Sequence, residues 1–265
     1  MFVQRLISGI ILVAVTLALF IAGGDVLWLG MIVVSVIGVF ELNRVFGIQS
    51  KLLGIAAYLA VAVWYANLRT PFLPEEMLFV SVYLILLLAI YVFSYPKYRT
   101  DQVLAAFFGF FYVALMLSYV YRTRELAGGV YLVWLILLCS WGSDTCAYCV
   151  GVLFGKHKMA PVLSPKKSIE GAVGGVAGAM LLTAIYGAVF AKQLGIAKEG
   201  ILLLAAVSGV GALVSMVGDL AASAIKRNYE IKDYGTLIPG HGGILDRFDS
   251  VIITAPMVYY LLLLR

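Results

Sequence analysis

The chain has 265 residues, 63% of them hydrophobic and only 12% charged, with a mean hydropathy of +1.03. A charged fraction about half that of a soluble globular protein cannot cover a water-facing surface, so a soluble domain is excluded. A disordered chain, a collagen-like rod and, with three cysteines, a disulfide scaffold are excluded as well. The composition predicts an integral membrane protein; with the apolar runs and the polar helix stripe described below, the expectation is an all-α polytopic bundle of about nine transmembrane helices with a polar cavity open to the cytoplasmic side.

A spanning helix needs about 20 mainly apolar residues. Apolar runs between charge clusters fall at roughly 6–24, 26–42, 52–68, 77–95, 103–121, 130–154, 171–191, 200–222 and 250–264, the last being short. They lack the apolar–polar alternation of barrel strands. The first run is longer than a signal-peptide core and no clean cleavage pattern follows it, so it is expected to be a retained span. With the N-terminus cytoplasmic, the inner segments hold Arg5, Arg44, Lys51, Lys97, Arg99, Lys156, Lys158, Lys166, Lys167, Lys226, Arg227, Lys232 and Arg247. The outer side then holds Arg69, Arg122, Arg124, Lys192, Lys198 and Arg265. Positive charge concentrates on the cytoplasmic side of membrane proteins, so this asymmetry predicts an inner-membrane protein with N-inside, C-outside topology. The net charge of +5 is thus a topology signal, not a nucleic-acid patch.

The chain divides into residues 1–128, about five hydrophobic spans that read as scaffold, and 129–265, a catalytic membrane region with cytoplasmic loops at about 155–170 and 226–249. In the first part Glu41 stands out, and an i,i+3 ion pair with Arg44 at the membrane surface accounts for both residues. Cys139, Cys146 and Cys149 read as buried thiols in the sixth span. Asp144 lies inside that span, where a carboxylate costs at least ~2.5 kcal/mol and needs a partner or a wet cavity. Ser140 and Tyr148, four residues either side, give it a polar face. A structural hydrogen bond to another helix is the alternative role for Asp144.

The loop that follows is basic, with Ser164-Pro-Lys166-Lys167-Ser168 before a glycine-rich helix. Ser168 is expected to cap that helix and Glu170 to complement its dipole. Gly171, Gly174, Gly175 and Gly178 form a small-residue packing face. Lys166 and Lys167 are placed to reach a phosphate, whereas His157 reads as a solvated loop residue. Farther on, Asp219, Ser223, Lys226, Arg227 and Glu230 draw one polar stripe along a helix. The run Pro239-Gly-His241-Gly242-Gly243 supplies backbone that can approach an anion, and Asp246, Arg247 and Asp249 open the last helix. Carboxylate oxygens of this kind suit a hard cation that also takes substrate phosphates.

The gapless run from Ser223 to Asp249, containing Lys226-Arg227, Lys232-Asp233 and Pro239-Gly-His241-Gly242-Gly243-Ile-Leu-Asp246-Arg247-Phe-Asp249, resembles the signature of the phosphatidate cytidylyltransferases. Ser143-Asp144-Thr145 and Ser164-Pro-Lys-Lys also look like family blocks, with Ser168 where many relatives carry Thr. The resemblance implies that CTP and phosphatidate give CDP-diacylglycerol and pyrophosphate in phospholipid biosynthesis. It also implies a requirement for Mg2+, with a second cation, divalent or monovalent, admitted. Asp219 and Asp246 are the first-choice Mg2+ ligands on this reading, supported by Asp249 and Asp144. Ser223, Lys226, Arg227, Lys232, Arg247, Lys166 and Lys167 would hold phosphates, the Gly242–Gly243 backbone would cradle one, and His241 would hydrogen-bond nearby. Competing readings are a CTP-dependent polyprenol or phytol kinase, which would move the γ-phosphoryl group, and an ion or phosphate transporter. The D-G-x-x-A-R motif of the CDP-alcohol phosphotransferases is missing. The bilayer is a partner by construction, and a homodimer is the expected assembly.

Overall fold

The computed structural model describes residues 2–264. It is helical nearly throughout: α1 Phe2–Ala22, α2 Gly24–Val45, α3 Leu52–Arg69, α4 Glu76–Phe93, α5 Thr100–Gly109, α6 Met116–Glu125, α7 Gly129–Leu132, α8 Trp134–Leu137, α9 Ser143–Phe154, α10 Ile169–Val189, α11 Ala191–Leu194, α12 Lys198–Asn228 and α13 Leu245–Leu263. Two π-helical turns, Phe110–Leu115 and Leu138–Gly142, join α5 to α6 and α8 to α9. Among the described residues eight helices are long and apolar enough to cross a membrane, which makes this a multi-pass, all-α membrane protein. They coincide with the first eight predicted runs. The ninth run is the body of α13, whose first five residues carry Asp246, Arg247 and Asp249. Arg265, counted with the outer charges, lies outside the described residues.

The chain forms two compact units. One holds the residues up to Ser118 together with Asp233–Arg247; the other holds Tyr119–Lys232 and the segment from Phe248 onward. The loop after α12 thus folds with the N-terminal helices, although the chain on both sides of it belongs to the second unit.

In the first unit, association cannot rest on the hydrophobic effect, because lipid is as apolar as a leucine side chain; close packing has to hold the helices. An aromatic cluster supplies it: Trp64, Phe79, Tyr83 and Phe110 stack with centroids 5.1–6.0 Å apart. Between α3 and α4, where Pro71 and Pro74 prevent helix, Asn67 Oδ1 accepts the N–H groups of Phe72 and Leu73 and closes the turn.

In the second unit α10 lies against α9 and α12. The expected glycine face does this: side chains at Gly174 and Gly178 would overlap Val150 and Cys146, and one at Gly171 would meet the Ala147 carbonyl. Ser168 caps α10, its Oγ accepting the Gly171 N–H at 3.1 Å. The basic loop is a short antiparallel hairpin, β1 Lys158–Ala160 with β2 Ser164–Ser168, not merely a stiffened connection. Of the three free cysteines, only Cys139 is buried; Cys149 is exposed, because the glycine face covers the opposite side of α9.

Candidate active site

The second unit gathers three carboxylates. The π-turn Leu138–Gly142 ends two residues before Asp144, and such an extra residue per turn re-aims the side chains after it. Asp144 meets Ser250, whose hydroxyl donates to its Oδ2 at 3.4 Å. The expected polar face with Ser140 and Tyr148 does not form: Ser140 returns its hydroxyl to the Ile136 carbonyl, and Tyr148 is exposed. Asp249 is buried, its Oδ1 accepting the Ser250 N–H at 2.8 Å. Ser250, itself buried, therefore bridges Asp144 and Asp249. Asp249 is also close enough to Asp219, Lys226 and Asp144 for their charges to act on it.

Asp219 comes from α12. A Cβ on Gly218 would lie 2.9 Å from the Asp249 carbonyl, so a glycine is what lets α12 pass close to α13 beside Asp219. The Lys167 ammonium sits on Asp219 Oδ2, both side chains being about a quarter exposed. Ser223 points its hydroxyl at Asp219 Oδ1 from 3.5 Å. The predicted stripe therefore holds through Asp219, Ser223, Lys226 and Arg227, with Lys226 half-buried and Arg227 exposed. Glu230 is not part of it: α12 ends at Asn228 and Glu230 has φ 54°, outside helical geometry. Lys166 and Lys232 are exposed. His157 is more than a solvated residue, since its Nδ1 lies 2.5 Å from Glu170 Oε1; Glu170 also accepts the N–H groups of Lys156 and His157, tying the hairpin to α10.

In the first unit the loop before α13 is wound around carboxylates. Asp246 Oδ2 accepts the N–H groups of Tyr234 at 2.7 Å and Gly243 at 2.9 Å. Glu41, buried on α2, accepts the N–H groups of Ile244 and Leu245 at 3.1 and 2.8 Å, and Arg44 donates to the Tyr234 carbonyl. The charge of Arg44 acts on Glu41 as expected, but both residues also hold a segment some 200 positions away. The glycine loop is correspondingly not an open cradle: Gly243 spends its N–H on Asp246, and the anions lying against it belong to the protein. Gly240 and Gly242 have φ 76° and 87°, which a side chain would strain, and the Ile238 N–H to Gly242 carbonyl bond closes the turn that presents His241. His241 Nδ1 lies 2.9 Å from Ser8 Oγ, which also donates to the Pro239 carbonyl. Partial burial, then the charges of Arg247 and Arg5, hold the imidazole below its ordinary pKa and favour its neutral form. Arg5 and His241 head a groove of about 630 Å3 that continues along α1 over Gly9, Ile10, Val13 and Leu17.

Sequence reasoning missed Ser250 and the reach of Glu41. Ser250 had no pattern to reveal it; Glu41 had one, but a local partner explained it away. Among the described residues no three His, Cys, Asp or Glu side chains already form a metal cage. The donor chemistry of Asp144, Asp219 and Asp249 nonetheless fits a hard divalent cation that takes one or two carboxylates and completes its shell from water and substrate phosphates. Asp219 already carries a cation in Lys167.

Comparison with known proteins agrees over the full length. Residues 3–264 match the model of the cytidylyltransferase family. The phosphatidate cytidylyltransferase of Bacillus subtilis (strain 168) is 31% identical, the alignment covering 98% of this chain and 97% of the relative. Those of Staphylococcus haemolyticus and Staphylococcus epidermidis are 30% and 31% identical, with 98% of each chain covered. This chain belongs to the cytidylyltransferase family.

Proposed function

We infer that this protein is a nucleotidyltransferase of the membrane, a CTP:phosphatidate cytidylyltransferase that forms CDP-diacylglycerol and pyrophosphate. The observation that carries the reading is the full-length relationship to proteins of that name. A phosphate oxygen of phosphatidate attacks the α-phosphorus of CTP, the bond to the β-phosphate oxygen breaks, and pyrophosphate departs with the electron pair. Such a transfer asks the protein for little covalent chemistry. It asks for two polyanions to be held in line and for the charge on the leaving group to be stabilised.

The second unit has groups suited to both tasks. Lys167 and Lys226 neutralise phosphate charge beside the carboxylates, and exposed Lys166, Arg227 and Lys232 draw the nucleotide from the aqueous phase. Asp219, Asp249 and Asp144 are the residues we assign to a divalent cation, taken as Mg2+, with Ser250 fixing the last two. When bound, the cation cancels repulsion between the phosphates and polarises the leaving group. Asp246, whose Oδ2 is held by the loop, stays assigned to the cation as a further ligand. The N-terminus and these groups are assigned to the cytoplasmic side on the distribution of lysine and arginine. A homodimer is part of the same reading, and light scattering in detergent would count the copies.

The test is positional labelling. Purified protein with phosphatidate, Mg2+ and CTP labelled at the α-phosphate should pass label into the lipid phase, while γ-label leaves as pyrophosphate. Entry of γ-label into a lipid alcohol would establish the kinase chemistry instead.

A further inference from the structure

Glu41 lies one turn from the end of α2, in the half of the chain that reads as scaffold, and its carboxylate is almost wholly buried, at 3% exposure. Both of its oxygens are engaged, Oε1 by the Ile244 N–H and Oε2 by the Leu245 N–H. Leu245 is the first residue of α13, so the two amides belong to the start of that helix, where unpaired N–H groups and the positive end of the helix dipole await an acceptor. A helix usually finds this acceptor in its own preceding residue; here it arrives from another span. The next residue, Asp246, takes the Gly243 and Tyr234 N–H groups, and Arg44 takes the Tyr234 carbonyl. Three consecutive amides, 243–245, are therefore fixed by two carboxylates. The fit is also steric: a side chain on Gly235 or on Gly243 would occupy the space of the Glu41 carboxylate. A buried charge in a membrane span is expensive, and an ion pair with Arg44 would explain neither the engaged amides nor the two glycines.

We propose that Glu41 is a positioning residue of the transfer reaction: it seats the first turn of α13 and so sets the direction of Asp246 and Arg247 and the course of residues 233–244. It touches no substrate and acts through the loop. The proposal rests on the cytidylyltransferase reading only for its kinetic consequence; the structural consequence stands without it.

Two measurements on Glu41→Gln, Glu41→Asp and Gly243→Ala test it. The first is amide hydrogen exchange in detergent, followed on peptides covering 234–246 and, as a control, the hairpin 158–168. Glutamine keeps the size but offers one acceptor oxygen and turns an N–H donor toward the amides. Exchange over 234–246 should rise at least tenfold in Glu41→Gln and in Gly243→Ala, whose methyl group displaces the carboxylate, with the hairpin unchanged. Equal exchange in wild type and Glu41→Gln, or a rise spread over the whole chain, overturns the proposal. The second is kinetics per folded molecule. Glu41→Gln should raise KM for CTP at least tenfold, with partial rescue by Glu41→Asp, which keeps the charge. An unchanged KM for CTP per folded molecule would overturn it. If the wild-type protein transfers no cytidylyl group but Glu41→Gln shows the localised rise in exchange, the functional reading fails and Glu41's hold on the loop stands.

Discussion

Glu41 and Asp246 in one unit, and Asp144, Asp219 and Asp249 in the other, are all carboxylates in or beside membrane helices, yet they are satisfied in different currencies. The first pair accepts backbone amides, four of them within 234–245. The second set is met mainly by side chains: the Ser250 hydroxyl, the Ser223 hydroxyl and the Lys167 ammonium, with a single backbone N–H on Asp249. Backbone amides cannot move away without unwinding the loop, so the first pair builds shape. Hydroxyls and a lysine can rotate aside, so the second set can exchange its partners for a cation or a phosphate. On the proposed reading, similar residue types thus serve architecture in one place and chemistry in the other.

The sharpest way to break this contrast is to neutralise one member of each set. Asp219→Asn should lower turnover about a thousandfold, the scale of removing a principal electrostatic group, while the melting temperature in detergent stays near wild type. A variant that keeps a tenth of wild-type activity would remove Asp219 from the site. Asp246→Asn should lose roughly a hundredfold in turnover and also about 1–3 kcal/mol of stability, because an amide strains two bonds to a fixed loop. An Asp246→Asn protein as stable as wild type would erase the distinction drawn between the sets.

Lys167→Met comes next. Loss of the ammonium on Asp219 should cost roughly tenfold to a hundredfold in kcat/KM, and the double variant with Asp219→Asn should be little worse than Asp219→Asn alone, since groups acting as a unit are not additive. Simple multiplication of the two losses would show that they act apart. The smallest effect concerns pH. His241 is held below its ordinary pKa, so the folded protein binds fewer protons there than the unfolded chain. Its contribution to stability is level above about pH 6.5 and declines as pH falls from the unfolded value toward the lowered folded one. Melting temperatures between pH 5 and 8 should show a slight acid decline that His241→Asn abolishes.

Much of this was legible in the chain because membrane helices announce themselves by composition. The first eight apolar runs, the Ser168 cap, the glycine face of α10 and the polar stripe from Asp219 to Arg227 all follow from local periodicity and capping chemistry. What escaped is what periodicity cannot encode. Glu230 follows the stripe's spacing but sits past the helix end, where φ changes sign. The Lys167–Asp219 pair joins a hairpin to a helix 52 positions on. Gly243 looked like an anion cradle and is one, but the anions belong to the protein. Glu41 misled most, since Arg44 three residues away offered a sufficient local explanation for a residue whose partners lie more than 200 positions downstream.

That separation has a consequence for how the protein is made. Glu41 leaves the ribosome some 200 residues before Ile244 and Leu245 exist, an interval on the order of ten seconds or more at ordinary elongation rates. Throughout it, α2 carries a carboxylate whose eventual partners have not been synthesised. The unit begun first therefore stays open until the segment before α13 arrives to fill the vacancy. Any nascent chain arrested before residue 233 would leave the Glu41 carboxylate without the amides that hold it in the finished protein.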